Sequence, residues 1–110
     1  MKKIKLHVIG RLSGDYIVQE VTGELFQGEP DEMGALAIVH LVKGKNNILR
    51  ASSEWQMINI YTGMLVVRGK TRKDCVAEYE THRERYEKIL KNTKFMEDQK
   101  RRLDDLLAAQ

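Results

Sequence analysis

Cysteine, proline and aromatic rings are scarce in this chain, and each scarcity removes a class of explanation. Cys75 is the only cysteine, which excludes an intramolecular disulfide and any zinc site built from several thiolates. A reducing, cytosolic setting follows as the expectation. The single proline, Pro30, leaves long stretches of chain uninterrupted. With one Trp and two Phe, there is little material for a surface of stacked bases. No apolar window approaches the roughly 20 residues needed to span a bilayer. The N-terminal Met1–His7 carries lysines, but no apolar run of signal-peptide length follows it, so a soluble, cytoplasmic protein with no membrane partner is expected. Neither sign of charge dominates: 19 basic and 16 acidic side chains leave a net +3, a balance that permits nucleic-acid binding without arguing for it.

What the chain does have is an uninterrupted C-terminal stretch. From Thr71 to Gln110 there is neither Gly nor Pro, and Cys75, Tyr79, His82, Tyr86, Ile89, Thr93, Met96, Lys100, Leu103 and Leu107 recur at alternating spacings of four and three. That is a helical seam with a period near 3.5, as in a coiled coil. Thr71 suits an N-cap, with Asp74 three residues on. A continuous helix here would be about 57 Å long at 1.5 Å per residue, far longer than a core of this size needs. The spacing therefore predicts either a break near Asn92, where Lys91–Lys94 has no apolar residue, or a tail that leaves the domain. Residues 1–91 are expected to form one α+β domain, with 92–110 a helical extension for self-association or partner binding.

Upstream the signals are those of strands. Ile4, Leu6 and Val8 alternate with Lys5 and His7; after the Ser13-Gly14-Asp15 turn, Tyr16–Val21 resumes with β-branched residues, completing a hairpin. Thr22-Gly23 either ends that strand or bulges it. A second hairpin spans 54–69, turning at Thr62-Gly63. Lys43–Asn47 reads as a polar loop. The stretch between Gly28 and Gly44 is ambiguous. Pro30, Asp31, Glu32, Lys43 and Gly44 sit where helix start and stop residues belong. The apolar run Leu36–Val42 also suits a fully buried strand, and the flanking residues tip the reading to a short helix. The fold class is thus α+β: two hairpins in a small antiparallel sheet, a short helix, and a long C-terminal helix.

Candidate chemistry is sparse. Arg68, Lys70, Arg72 and Lys73 crowd a strand-to-helix junction, where backbone N–H groups and the helix dipole favour phosphate. Lys43, Lys45 and Arg50 would extend that patch if the two loops share a side. Trp55, Tyr61 and Tyr16 offer stacking faces, but aromatics in amphipathic strands are more often core residues. Cys75 and His82 lie seven residues apart, which on one helix is about 10 Å, too far for a nucleophile and its base. His7 and His40 have no evident ligand neighbours, so no metal site, catalytic residue or cofactor is assigned. No glycine loop cradles a phosphate, and no Ser sits in a nucleophile elbow; an enzyme is not expected.

The run Trp55–Val76, a strand, a Thr62-Gly63 turn, a strand and Gly69-Lys70-Thr71-Arg72-Lys73 leading into a helix, resembles a module of small uncharacterised phage and mobile-element accessory proteins. The Gly-Lys-Thr in it is not a P-loop, because the upstream glycine that motif requires falls on Met64. The resemblance implies an accessory factor that acts by binding, in the host cytoplasm if phage-encoded. The reading is a non-enzymatic interaction protein that self-associates or binds a protein partner through its C-terminal helix, with Tyr79, Tyr86, Ile89, Met96, Leu103 and Leu107 as the contact seam. Two alternatives stand beside it. One is a nucleic-acid-binding module using Arg68–Lys73. The other is a phage-type inhibitor of a host defence or regulatory protein, in which the acidic stretch Glu24–Glu32 imitates nucleic-acid charge.

Overall fold

A computed structural model describes residues 2–12, 14–40 and 54–110, with Arg11 and Leu12 described by their backbone. Five strands and three helices follow one another along the chain: β1 (Lys3–Leu12), β2 (Asp15–Gln27), β3 (Leu36–His40), β4 (Trp55–Asn59), β5 (Leu65–Gly69), α1 (Arg72–Thr81), α2 (Arg83–Leu90) and α3 (Thr93–Ala108). The strands form one antiparallel meander in the order β1-β2-β3-β4-β5. The α+β class and both hairpins are as the sequence implies. The polar loop assigned to Lys43–Asn47, and Lys45 and Arg50 with it, lie outside the described residues.

The ambiguous stretch resolves as a turn followed by a strand, not the short helix that its flanking residues favour. Glu32 N–H donates to the Glu29 carbonyl (2.9 Å) and Ala35 N–H to that of Glu32 (3.2 Å), so Pro30, Asp31 and Glu32 serve a turn. β3 then pairs on both sides, Ile38 with Glu24 and with Met57. Leu36 and Ile38 enter one apolar cluster while Ala37 and Val39 enter another. A strand buried on both faces needs apolar residues at every position, so it loses the alternation that marks strands in a sequence.

Those two clusters define the layers. On one face of the sheet Leu36, Ile38, Met57 and Val67 meet Cys75 and Tyr79 of α1, Leu90 of α2 and Met96 of α3. On the other, Leu6 and Val8 fold over Ala37, Val39 and Ile58. The sheet can curl so tightly because Gly23 has no side chain: a Cβ there would lie 2.9 Å from Val39 Cγ2 and 3.1 Å from Leu6 Cδ2. The curl brings β1 back to the β4–β5 turn, where Ile9 N–H donates to the Gly63 carbonyl at 3.0 Å.

The C-terminal stretch breaks near Asn92, one of the two outcomes the spacing predicts, and also at His82, so that it forms three helices. It turns at His82, whose φ of −116° and ψ of 28° leave helical geometry, and again at Asn92, whose side chain caps α3 by accepting the Phe95 N–H at 3.1 Å. The molecule is 35 Å in its longest dimension, which has no room for a continuous 57 Å helix. Each turn lets the same seam face the sheet again: Tyr79, Met96 and Leu103 are 0%, 1% and 2% exposed. Residues 92–110 are accordingly no projecting extension. Leu103 packs near Gly63, Arg102 stacks over Tyr16 at 3.8 Å, and the Gln110 side chain donates to the Val18 carbonyl at 3.0 Å.

Candidate functional site: a cleft along the last strand

β5 is the last strand of the meander and, among the described residues, pairs with β4 alone. It passes into α1 through Gly69, where the helix presses on the strand: a Cβ at Gly69 would stand 2.5 Å from the Cys75 nitrogen. Only glycine allows so close an approach of two backbones. Thr71 then caps α1, its hydroxyl accepting the Asp74 N–H at 3.0 Å. Tyr79 anchors the helix to the sheet. Its ring packs edge-on to Phe26 (5.8 Å) and stacks with Tyr86 (5.7 Å), and its hydroxyl reaches Gln27 at 3.3 Å. Burial pushes the Tyr79 phenol and the Cys75 thiol above their ordinary pKa values, because an apolar surrounding disfavours the charged forms.

Between β5 and these helices runs a groove of about 530 Å³. Its strand side is Leu65–Lys70 and its helix side is Asp74, Glu78 and Tyr86. Leu65, Val66 and Tyr86 also line a more enclosed pocket of about 160 Å³, which continues to Met64, Ile89, Leu90, Phe95 and Met96. Groove and pocket are thus one cleft, charged at the Gly69 end and apolar at the α2–α3 corner. Ile89 (44% exposed) and Phe95 (36%) stand at the pocket and are, with Tyr16, the three exposed large hydrophobic residues among the described residues.

The pocket also touches two buried polar residues, Asn59 and Thr62. Their hydrogen bonds are used internally. The Asn59 amide donates to the carbonyls of Met33 (2.9 Å) and Ala35 (3.1 Å), and its oxygen accepts from the Thr62 N–H (3.0 Å) and hydroxyl (2.7 Å). The Met64 N–H donates to the Thr62 hydroxyl at 3.3 Å. With both amide protons and both carbonyl lone pairs engaged, this wall presents no free polar group, and the pocket suits an apolar group.

The residues singled out in the sequence distribute unevenly. Of the six seam positions, Tyr86, Ile89 and Met96 line the pocket; Tyr79 and Leu103 are buried in the chain's own core, and Leu107 is half-buried. A coiled coil along that seam would need side chains already used at home. Of the four junction cations, Arg68 and Lys70 line the groove, Arg72 turns away to an ion pair with Glu24 on β2, and Lys73 is exposed on the first turn of α1 outside the groove lining. Asp74 and Glu78 oppose Arg68 and Lys70 across the groove, so the junction is a mixed-charge site and not a cluster of four cations. Each aromatic considered for stacking has a neighbour: Trp55 stacks on His40 at 4.4 Å, Tyr61 lies under Lys100 at 5.6 Å, and Tyr16 lies under Arg102. The acidic stretch is partly engaged, Glu24 by Arg72 and Glu32 by the Glu29 N–H at 2.9 Å. His82 lies 3.5 Å from Glu78 at the α1–α2 turn, and Cys75 on the same helix is fully buried. Among the described residues no group of three or more His, Cys, Asp and Glu is placed to hold a metal, and no helix is long and apolar enough to cross a membrane.

Sequence reasoning missed the open edge of β5 and the part Asn59 plays. Edge status depends on strand order, which local periodicity does not encode. An Asn at the end of an apolar strand, three residues before Thr62-Gly63, is the signal that could have found this turn. Comparison of the chain with family models, with curated proteins and with solved structures finds no match.

Proposed function

We propose that this chain is a non-enzymatic interaction protein that binds a protein partner in the cleft between β5 and α2. The observation that supports this most is the apolar pocket at the α2–α3 corner, with Ile89 and Phe95 left exposed beside it. Large apolar side chains at the mouth of an apolar pocket are what a partner would cover. The contact surface is therefore the corner and the β5 edge rather than the whole length of the C-terminal helices. A pocket of this size suits one bulky apolar side chain as an anchor, the usual core of a protein contact.

The test is photocrosslinking. A photoreactive phenylalanine analogue in place of Ile89 or Phe95, expressed in the cell of origin, should give a discrete protein adduct. Its mass would distinguish a second copy of the chain from another protein. The same analogue at Lys5, which lies on β1, should give none. If Ile89 and Phe95 yield no adduct, or only the diffuse labelling seen from Lys5, the reading falls.

A further inference from the structure

We infer that the partner enters as an extended peptide that adds to β5 as a sixth strand, placing one bulky apolar side chain in the corner pocket and one acidic side chain at Arg68 and Lys70; this rests on the protein-binding reading above. Three observations carry it. First, β5 has an unused edge. Among the described residues its strand pairing is with β4 alone, and the one further hydrogen bond to its backbone is a long contact from Cys75 Sγ to the Val67 carbonyl (3.8 Å). A row of available backbone N–H and C=O groups is the template that strand addition uses.

Second, the edge is only partly blunted: β5 carries one charge, Arg68, and its pairing with β4 shifts register between Val67 and Leu65. Leu65, Val66 and Val67 are consecutive apolar, largely β-branched residues with no proline among them, a composition that proteins normally avoid on an unprotected edge. What stands over it is the helical side formed by Asp74, Glu78 and Tyr86. That arrangement leaves a trough about as long as β5, roughly 14 Å from first to last Cα at 3.4 Å per residue. Such a trough admits one extended chain more readily than the edge of a second sheet carrying its own helices.

Third, the two ends of the trough differ chemically. Arg68 and Lys70 lie at one end, and Ile89 and Phe95 at the other. A strand running antiparallel to β5 meets the cations first and the pocket afterwards, so its acidic residue precedes its apolar anchor by about two to four positions at strand spacing. Asp74, on the helix side at the same end as the cations, repels a longer acidic run. The ligand class is thus a mixed peptide with a single carboxylate, not a polyanion.

The experiment uses a capped heptapeptide of alternating Thr and Val with Asp near its N-terminus and Leu near its C-terminus. It is titrated to millimolar concentration into the full chain while backbone amide and methyl NMR shifts are followed. The expected result is a saturable change at Val66–Lys70 and at the Ile89 methyls. Methylating alternate peptide nitrogens, which keeps every side chain but removes the pairing N–H groups, should weaken binding by about tenfold or more. The joint substitution of Arg68→Gln and Lys70→Gln should remove the preference for Asp over Asn in the peptide. No shift at β5, or equal binding by the methylated peptide, overturns strand addition. Neither result alters the crosslinking from Ile89 and Phe95, so the failure of this mode and the failure of the interaction reading are separate outcomes.

Discussion

The two outer strands of the sheet handle their edges in opposite ways. β1 carries Lys3 and Lys5, and its Ile9 N–H is taken by the Gly63 carbonyl at 3.0 Å as the sheet curls back on itself. Charge and closure are two of the ways in which a strand is kept from pairing with a stranger. β5 carries a single charge, Arg68, beside Leu65, Val66 and Val67, and borders an accessible cleft. The contrast teaches that openness here is local: one edge is protected within the fold, and the other, among the described residues, pairs on one side only and has helices beside it that do not fill the space.

The most damaging way to break the contrast is to remove the anchor that holds those helices in place. Tyr79→Ala deletes a fully buried ring that touches Phe26 and Tyr86, and it should cost about 3–5 kcal/mol in chemical denaturation. A loss under about 1 kcal/mol would mean that α1 does not depend on this residue. Asn59→Ala strikes the turn that closes the β1 edge. It strips hydrogen bonds from the Met33 and Ala35 carbonyls and from Thr62, with an expected cost of about 2–3 kcal/mol. It should also speed hydrogen exchange at Ile9 more than at Val67. Equal acceleration at both would show that the two edges are not independent.

A smaller effect separates the core beneath β5 from its surface. The Cys75 thiol and Tyr79 phenol both have folded-state pKa values raised by burial. Groups of this sign contribute stability that is complete below their unfolded pKa values, about 8.5 and 10, and is lost as the pH rises through the folded ones. Stability should therefore hold at neutral pH and decline above about pH 9, in the range of the free thiol. Cys75→Ala should delay that decline without abolishing it, since Tyr79 remains. A denaturation midpoint that is flat to pH 11, or one identical in the two proteins, would contradict this account.

Much of the local structure is legible in the residues themselves. Alternation at Ile4, Leu6 and Val8 marks β1, the Thr62-Gly63 pair marks a turn, and Thr71 marks the start of α1, because each depends on neighbours in sequence. The stretch at Leu36–His40 misleads for a physical reason: burial on both faces erases the alternation, and Pro30-Asp31-Glu32 serve a turn as well as they would a helix. The candidate site was legible in halves. Tyr86, Ile89 and Met96 were visible as part of a helical seam, and Arg68 and Lys70 as part of a basic junction, but nothing local says that they border the same cleft.

The sequence by itself determined an α+β chain with helical residues after Thr71, an apolar period running through them, and a cap at Thr71 where the first helix begins. Whether that period would be spent on a partner or at home was decided by the turns at His82 and Asn92. They return Met96 and Leu103 to the chain's own core and leave Ile89 and Phe95 outside it. The reason is that a seam is a property of spacing, whereas burial depends on which surface the seam meets, and only the curled sheet supplies that surface.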